Sequence, residues 1–590
     1  MRLNFTDHYM NDYITEFKKD LNKIINDLIE KNIINDFNFN KLSIDYSSKS
    51  KQGDISTNLF LILLKQNLKK NYDLKDHIFK FLSSLNYIEK IDIVKAGFIN
   101  VVFKKDFLIS KLIDLFSNNE QYGFNNIGNG KKINIEFVSA NPTGPIHVAH
   151  MRGAVLGDVL ASILESSGFK VTREYYVNDA GSQIRVMGQS LYKRYQQLFD
   201  NQVVLTPNEY PGEYLKNIAK IIYDQDGDKW LKTKNEIEKF KYFEIFAVKN
   251  LVARIKEDLS LININFDIFT FESEIVVNKF INKVFTLLKE KNLLYEGVLD
   301  KPMNEEESDW EPRKQLLYRS TNFGDDVDRA FQKANGEWTY FANDAAYHYE
   351  KYSRGYDQLI NIWGADHIGY ISRMKSIVEI ISNKKNYLDI QVCQMVHLRK
   401  NGKLLKISKR EGNFVTLKKI QQEVGKDALR YFMISSKSGT PMDFDMDKVV
   451  EKNKDNPVFY CQYAFARASS VIRKANLSKE IPDIHSSIDQ FSSNYVSEHE
   501  WKIILKILAW PYLLSQAAAF KQPHRIIIYL EDLCSHFHSF WNKGKDDQSL
   551  RLIDEKNINK TISKLIWLES LRITLKQAFN IIGIDAPEIM

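Results

Sequence analysis

Several features that would classify the chain at once are scarce in its sequence. Only three of the 590 residues are cysteines, Cys393, Cys461 and Cys534, too few and too widely spaced for a disulfide framework or an all-thiolate zinc site. With 25 glycines and 12 prolines, the chain is neither collagen-like nor a linker. No apolar run is expected to approach the ~18 residues of a membrane span, and the beginning of the chain lacks the apolar segment of a secretory signal. We therefore expect a soluble, cytoplasmic protein with no membrane partner.

The chain also has only a small excess of positive over negative charge. The formal net charge is +7 and the isoelectric point is near 8.8, which only weakly favours a polyanionic partner, so nucleic acid would have to be bound by local patches. Apolar residues make up 44% and charged residues 27% of the chain, which is ordinary globular composition. Because single hydrophobic cores stop growing at roughly 250–300 residues, the length predicts about three or four domains.

Residues 1–115 are predicted to form an α+β domain. Apolar residues recur at three- and four-residue spacing from Tyr13 to Ile33, which indicates an amphipathic helix. The segments Ile91–Val94 and Phe98–Phe103 are β-rich and are separated by a turn at Gly97.

Residues 120–435 begin with a βαβ pattern. A short β-rich run, Ile133–Val138, is followed by helical spacing from His147 and by a stop at Gly168. Val171–Val177 is again strand-like. A strand, a helix and a strand within ~45 residues predict a parallel sheet with a right-handed crossover.

The rest of the chain is predicted to add a helical insertion and a helical C-terminal domain. The insertion covers about 195–300 and contains the long helical pattern Phe243–Ile262. Residues 440–590 are predicted to be all helical. Between these two regions, strand-like runs return at Leu316–Tyr318, Trp338–Phe341, Leu359–Trp363 and Gln391–Leu398.

Two histidines open the helix of the βαβ pattern. His147 and His150 lie three residues apart at its N-terminus and therefore on one face, where exposed backbone N–H groups favour phosphate. Imidazoles there can stabilise charge that develops in phosphoryl or nucleotidyl transfer. Taken alone, the pair is more often a surface or metal-binding feature.

A basic segment, Lys406–Arg410, follows some 260 residues later. Lysine ammonium groups on a loop can neutralise a triphosphate, although a single run of this kind is usually a solvated surface. Together with the proline-flanked histidines after the first strand, it resembles the two signatures of class I aminoacyl-tRNA synthetases.

Further segments narrow the resemblance. The chain is similar to arginyl-tRNA synthetases of bacterial type in Ile135–His147, Tyr176–Ile184, Trp338–His348, Trp363–His367, Asp427–Arg430, Asn456–Tyr460 and Ala586–Met590. The resemblance implies an α/β protein with a Rossmann-type parallel-sheet catalytic domain carrying the helical insertion. It also implies that the N-terminal α+β domain grips the tRNA elbow and that the all-α C-terminal domain binds the anticodon.

The resemblance also implies a reaction. Arginine and ATP would form arginyl-adenylate and pyrophosphate, and the terminal adenosine of tRNA(Arg) would then take the arginyl group with release of AMP. Mg²⁺ would accompany ATP as a phosphate ligand, without a dedicated protein metal site. We expect a monomer whose activation step is completed by tRNA.

Site residues are carried over position by position. The catalytic set is His147, His150, Lys406 and Lys409. ATP is assigned to His147, His150, Gly364, Asp366, His367, Lys406 and Lys409. Arginine is assigned to Glu136, Ser139, Asn141, His147, Gln183, Tyr340 and Asp344. The tRNA is assigned to Phe98, Asn100, Tyr463 and Met590.

The chemistry of these side chains suits arginine. A guanidinium is planar, permanently charged and rich in donors, so its pocket needs carboxylates and aromatic walls. Asp344 follows Tyr340 by four residues, one turn if the segment is helical. In the family the matching aspartate pairs with the guanidinium and the matching tyrosine lines the pocket. Taken without the family, a strand-end salt bridge for Glu136 and a core position for Tyr340 would be the simpler interpretations.

Two positions depart from the family pattern, and the sequence argues against two other functions. Ala149 stands where the first signature has glycine, so its methyl group is expected to tighten the adenine site. Ile407 replaces a methionine of similar volume. A cysteinyl enzyme would need a zinc thiolate site that three scattered cysteines cannot supply. A non-enzymatic RNA-binding relative would not need the histidines and lysines of both signatures.

One further cluster contains residue types that bind metals. Cys534, His536 and His538 alternate along a predicted helix, where alternate positions diverge by about 200°. We therefore expect them to pack in the core or to contact RNA.

Overall fold

The computed structural model describes residues 12–46, 53–66, 73–117, 121–200, 202–277, 279–299, 313–405, 415–478 and 480–590. The chain divides into two compact units. The first is made of the chain up to Ile127 together with Lys452–Met590, and the second is Gly128–Glu451.

Helices dominate both units. In chain order they are α1 Tyr13–Glu30, α2 Leu59–Leu64, α3 Leu74–Ser83, α4 Lys105–Ser117, α5 Val148–Ser166, α6 Ser182–Gln196, α7 Tyr214–Asp226, α8 Lys229–Lys232, α9 Glu236–Ser260, α10 Glu272–Val277, α11 Phe280–Glu290, α12 Tyr340–Ser353, α13 Ile371–Ser382, α14 Leu417–Val424, α15 Lys426–Met433, α16 Pro457–Asn476, α17 Glu498–Leu508, α18 Trp510–Phe520, α19 His524–Asp546 and α20 Ile558–Ile582.

The strands are short and form four separate sheets. In chain order they are β1 Ile44–Tyr46, β2 Ile55–Thr57, β3 Ile88–Ile93, β4 Ile99–Phe103, β5 Lys132–Glu136, β6 Lys170–Val177, β7 Ile268–Phe271, β8 Leu294–Gly297, β9 Gln315–Tyr318, β10 Arg329–Gln332, β11 Gln358–Gly364, β12 Leu388–Cys393, β13 Val396–Lys400, β14 Lys403–Leu404 and β15 Met442–Asp445.

The first unit begins with the predicted α+β fold. An antiparallel sheet in the order β1-β2-β4-β3 is covered on one face by helices, and Ile99, Val101 and Phe103 of β4 are buried in that core. Gly97 makes the turn before β4 with φ +86°. An added Cβ there would lie 2.9 Å from the backbone of Leu61, so this position favours glycine.

The remainder of the first unit is the helical bundle α16–α20, which packs against the α+β fold. The hydroxyl of Tyr13 donates to the carbonyl of Leu505 at 3.3 Å, and that of Tyr122 donates to the carbonyl of Ile507 at 2.7 Å. One segment, Glu498–Phe520, is long and apolar enough to cross a membrane by length and composition, which corrects the expectation that no run approaches this length. It is broken into α17 and α18, and 61% of its apolar window is buried.

The second unit is built on a five-stranded, fully parallel sheet in the order β12-β11-β5-β6-β7. Helix α5 connects β5 to β6, as the periodicity predicts. Close packing of this helix on the sheet requires Gly157, because a Cβ there would lie 2.3 Å from the ring of Phe137. The predicted fold class is confirmed.

Two insertions interrupt the parallel sheet. Helices α6–α9 lie between β6 and β7, and the second insertion, between β7 and β11, contains the antiparallel sheet β10-β9-β8. The range 195–300 therefore includes the strands β7 and β8 as well as helices. The strand predicted at Trp338–Phe341 is wrong: Thr339 caps the N-terminus of α12 by accepting from the backbone N–H of Ala342, so the segment turns helical at Tyr340.

The strand order reverses at the middle of this sheet. The chain runs from β5 outward through β6 to β7 and then returns to the other side of β5 with β11. In open parallel sheets, ligands bind at such a switch point, beyond the carboxyl ends of the strands. The crevice beyond β5 and β11 is therefore the expected ligand-binding site.

Candidate active site

Glu136 lies at the carboxyl end of β5, directly beside the switch point. Its neighbour in register on β11 is Asn361. The chain then bends sharply, with Val138 at φ 68° and Ser139 at φ 39°, a left-handed conformation that is unusual for these residue types. The bend brings the Ser139 hydroxyl to 3.0 Å from Glu136 Oε1, and the same hydroxyl accepts from the backbone N–H of Tyr176.

A buried lysine holds the other oxygen of Glu136. Lys351 of α12 has no exposed side-chain surface, and its Nζ donates to Glu136 Oε2 at 2.5 Å and to Asn361 Oδ1 at 3.3 Å. The next residue in this network is His348, which contacts the Asn361 amide at 2.9 Å. Burial, together with the charge of Lys351, lowers the pKa of His348 to about 3, so this imidazole is neutral.

Asp344 and Tyr340 occupy the first turn and a half of α12. The hydroxyl of Tyr370 donates to Asp344 Oδ2 at 2.9 Å. Burial raises the pKa of Asp344 to about 7, and the negative charges of Glu136 and Glu272 add to the increase. Tyr340 is 67% exposed, so it is not a core residue.

Glu272, which the sequence analysis did not single out, completes a cluster of three carboxylates. It is 5% exposed and follows β7 directly, and its Oε1 accepts from the side-chain amide of Asn343 at 3.1 Å. Burial raises its pKa. Tyr176 lies among Glu272, Asp344 and Glu136, whose negative charges add to the effect of burial in raising the pKa of its phenol.

A fourth acid nearby is used within the fold. Glu174 of β6 is fully buried and accepts from Arg354 at 2.8 Å through each carboxylate oxygen and from the Tyr347 hydroxyl at 3.0 Å. Burial opposes its ionisation, but the charges of Lys351 and Arg354 outweigh burial and lower its pKa. Because its lone pairs are already engaged, this carboxylate is structural.

The two histidines lie at the N-terminal end of α5, the helix that follows β5 in the chain. His147 is the N-cap residue, its backbone N–H approaches Nδ1 of His150 at 3.4 Å, and the two ring centroids are 4.0 Å apart. Ala149 lies between them and is exposed, so its methyl group points away from the core.

The lysines of the second signature, Lys406 and Lys409, lie outside the described residues. The described chain stops at Leu405 and resumes at Val415. Thr416 then forms a β-bridge with His147, and the backbone N–H of Leu417 donates to the carbonyl of Ile146 at 2.9 Å. The described chain that resumes at Val415 is therefore held against the first signature.

A second unpredicted element covers the histidines. The segment Tyr210–Tyr214, between α6 and α7, lines a small cavity of about 50 Å³ together with His147, His150 and Asn141. The hydroxyl of Tyr214 donates to the carbonyl of Thr143 at 2.5 Å and fixes the two segments to each other.

The remaining predicted residues of the second unit lie at the rim of the crevice. Asn141 donates to Gln183 Oε1 at 3.0 Å, which joins the loop after β5 to the start of α6. Gly364 ends β11, Asp366 and His367 follow it, and all three residues are exposed.

The residues assigned to tRNA lie in the first unit. Phe98 is 38% exposed, whereas Asn100 is only 7% exposed and pairs in register with Asp92 and Ser56. Tyr463 is partly buried and lies beneath the guanidinium of Arg467 at 4.1 Å. Met590 is 49% exposed.

Known proteins share this fold and these sequences. Family models match residues 14–103 (arginyl tRNA synthetase N terminal domain), 111–452 (tRNA synthetases class I (R), catalytic domain) and 461–590 (DALR anticodon binding domain). An arginine–tRNA ligase of Ehrlichia ruminantium strain Welgevonden is 42% identical, covering 92% of this chain and 93% of the relative. The chain belongs to the arginyl-tRNA synthetase family.

Two further comparisons agree. The arginine–tRNA ligase of Pelagibacter ubique strain HTCC1062 is 42% identical, covering 93% of this synthetase and 95% of the relative. The solved arginyl-tRNA synthetase of Thermus thermophilus has the same fold, with a TM-score of 0.71 at 17% identity, covering 97% of this synthetase and all of that chain. The predicted family is therefore confirmed.

Three parts of the site in this synthetase were not found from the sequence: Glu272, Lys351 and the segment Tyr210–Tyr214. Glu272 had a usable signal, because an acid directly after a predicted parallel strand is placed at the ligand-binding edge. Lys351 had none, because a lysine within a helix is usually solvated. The tyrosines lie in a connection whose path depends on the helices around it.

Proposed function

We propose that the crevice beyond β5 and β11 binds arginine and ATP, joins them as arginyl-adenylate, and passes the arginyl group to the terminal adenosine of tRNA. The activity itself follows from the family: ATP-dependent attachment of L-arginine to its cognate tRNA in protein synthesis, with release of AMP and pyrophosphate. The observation that supports the assignment of the site is the cluster of the carboxylates of Glu136, Glu272 and Asp344, of which Glu136 is paired with the buried Lys351.

The charges of this cluster favour one more cation. Burial and the charges of Glu136 and Glu272 raise the pKa of Asp344 to about 7, so a further positive charge beside this carboxylate would favour its ionised form. A guanidinium stays protonated at neutral pH and has five N–H donors. It therefore supplies both a positive charge and hydrogen bonds to the carboxylates. Asp344 is the carboxylate assigned to it, with the exposed Tyr340 ring as a wall.

The polar end of arginine is assigned to the loop after β5. Asn141 and Gln183 contact each other at the rim, and Ser139 and Glu136 lie deeper, so together they can hold the amino and carboxylate groups. These contacts would direct a carboxylate oxygen toward the N-terminus of α5.

The phosphates are assigned to that helix N-terminus. His147 and His150 can donate to the triphosphate there, where the helix dipole also favours negative charge. Gly364, Asp366 and His367 would bind the nucleoside. Lys406 and Lys409 would neutralise the leaving pyrophosphate, as the family resemblance implies.

Other partners belong to the same proposal. Among the described residues, no three histidine, cysteine or acidic side chains meet in a way that could hold a metal ion. Mg²⁺ would accompany ATP and be held by its phosphates, whose charge it offsets. Phe98, Asn100, Tyr463 and Met590 would contact tRNA(Arg), and the enzyme would act as a cytoplasmic monomer.

The test is ATP–pyrophosphate exchange measured with a panel of amino acids, with and without tRNA(Arg). Exchange should occur only with arginine. Lysine should be inactive because it lacks the planar guanidinium group, and citrulline should be inactive because its side chain is uncharged. Exchange that depends equally on citrulline would contradict the carboxylate cluster as the guanidinium site.

Arginine binding should depend on pH. Because the guanidinium binds the ionised form of Asp344, whose pKa is about 7 in the free protein, binding releases a proton and strengthens as the pH rises. Only about a tenth of the carboxylate is ionised at pH 6, so the Kd for arginine should fall about tenfold between pH 6 and pH 8 and then level off.

Calorimetry with arginine alone measures this dependence without the titration of ATP. Asp344→Asn should bind weakly and without the pH dependence. A wild-type Kd that stays constant across this range would show that Asp344 is already ionised at pH 6.

The tRNA elbow gives a further prediction. Asn100→Ala should weaken tRNA charging by the ~1–3 kcal/mol of one base contact, with unchanged arginine binding. The comparison uses tRNA in which the D-loop base has been changed. An equal loss on both tRNAs would show that the amide, which is largely buried in the sheet, supports β4 instead of reading a base.

A further inference from the structure

A line of three residues on α12 joins the two ends of the site assigned to arginine. Asp344, His348 and Lys351 are spaced four and three residues apart, so they lie on one face of the helix. Asp344 is assigned to the guanidinium, and Lys351 holds Glu136, which is assigned to the polar end of the substrate. The two carboxylates are therefore tied to points that lie two turns, or about 10 Å, apart along the axis of α12.

His348 also connects α12 to the parallel sheet. His348 and Asn361 are only 3% and 1% exposed, and the imidazole Nε2 lies 2.9 Å from the side-chain nitrogen of Asn361. The other ring nitrogen, Nδ1, lies 2.8 Å from the backbone carbonyl oxygen of Asp344. Asn361 belongs to β11 and is the register partner of Glu136 on β5. The contacts of His348 with Asn361 therefore form a bridge from α12 to the strand ends where the substrate is assigned.

Lys351 fixes the direction of the hydrogen bonds in this bridge. An ammonium group only donates, so the atom of Asn361 that lies 3.3 Å from Lys351 Nζ is the amide oxygen. The amide nitrogen therefore faces His348 and donates to Nε2. The ring proton is then on Nδ1, which donates to the carbonyl of Asp344. Burial, with the charge of Lys351, lowers the pKa of His348 to about 3 and so preserves this neutral ring at physiological pH.

We propose that the bridge between His348 and Asn361 sets the length of the arginine pocket. The inference rests on the proposed function, which assigns the two ends of the substrate. Because the bridge fixes α12 to β11, it holds Asp344 at one distance from Glu136, and a substrate fits only when its guanidinium and its polar end have the matching separation. His348 and Asn361 are therefore positioning residues. They would let the enzyme reject guanidino amino acids that are one methylene longer or shorter than arginine.

The test compares arginine with homoarginine, which is one methylene longer, and with norarginine, which is one methylene shorter. ATP–pyrophosphate exchange is measured with tRNA(Arg) present. The kcat/KM of the wild type should be roughly 10- to 200-fold higher for arginine than for either analogue, the range for one methylene in a fitted pocket. In His348→Asn, whose amide can reach the Asp344 carbonyl but is too short to reach Asn361, this ratio should fall below about tenfold.

Three further variants complete the test. In His348→Gln the longer amide can take the place of Nε2 and accept from Asn361, so the ratio of the wild type should be kept. Asn361→Ala breaks the bridge from the side of β11 and should lower the ratio as His348→Asn does. Tyr387→Phe is the control for a general loosening of the fold, because it removes a buried hydroxyl of the same unit that donates to the Tyr356 carbonyl at 2.9 Å. Its ratio should equal that of the wild type.

Two results would overturn the proposal. One is an unchanged ratio in Asn361→Ala, or in His348→Asn, and the Asn361 variant decides the question if His348→Asn does not fold. The other is an equal fall of the ratio in Tyr387→Phe. The assignment of the site itself is tested separately through the arginine dependence of exchange by the wild type and the affinity of Asp344→Asn for arginine, so its failure is distinguished from a failure of the bridge.

Discussion

Replacing Asp344 with asparagine is expected to raise the KM for arginine by roughly 30- to 900-fold, the equivalent of about 2–4 kcal/mol for a lost charge-assisted bidentate contact. The side chains are nearly isosteric, and an amide oxygen can still accept from Tyr370, so the fold should be kept. The KM for ATP should change little, because the nucleotide is assigned to the other side of β5.

The measurement is steady-state aminoacylation at pH 8, where Asp344 of the wild type is mostly ionised. Glu379→Gln is the matched control, because it removes an exposed carboxylate of α13 outside the crevice. A nearly normal KM for arginine in Asp344→Asn would assign the guanidinium to Glu136 or Glu272 instead.

The sequence was most informative where a pattern is local. The strand–helix–strand from β5 to β6 follows from the spacing of apolar residues and from stop signals nearby, and the structure confirms it. The error at Trp338–Phe341 has a local cause too. The aromatic residues of this segment favour a strand, but the side chain of Thr339 caps a helix that begins at Tyr340. Tyr340 and Asp344 therefore lie one turn apart on α12.

The sequence was least informative where partners are distant in the chain. Glu136 and Lys351 are 215 residues apart, and nothing local to either residue indicates an ion pair. Neither spacing nor composition could show that Glu174 is saturated by Arg354 whereas Asp344 is not. The site residues that were named came from resemblance, and their distances, burial and charge came only with the fold.

The solvent exposure of a side chain is also difficult to predict from the sequence. Phe98 and Asn100 were predicted to share an RNA-facing surface because they are two residues apart in an extended segment. The structure leaves the ring accessible but buries most of the amide. Strand periodicity gives the face on which a side chain lies and cannot give how closely neighbouring strands cover it.

Lys351 is expected to be as important for the pocket as the residues assigned to substrate. In Lys351→Met, Glu136 would keep only the Ser139 hydroxyl in a buried position, and breaking such an ion pair by removing one partner destabilises a protein by about 3–5 kcal/mol. Because Lys351 also fixes the position of the Glu136 carboxylate, the Kd for arginine should rise in this variant. Scanning calorimetry and the Kd for arginine measure the two effects.

The double variant Glu136→Gln/Lys351→Met separates stability from binding. It removes both charges together, so no buried carboxylate is left without its partner, and most of the lost stability should return. Arginine binding should stay weak, because Glu136 is assigned to the polar end of the substrate. Recovery of arginine affinity in the double variant would instead mean that Glu136 serves only as the counter-ion of Lys351, and normal thermal stability of Lys351→Met would show that the ion pair does not stabilise the fold.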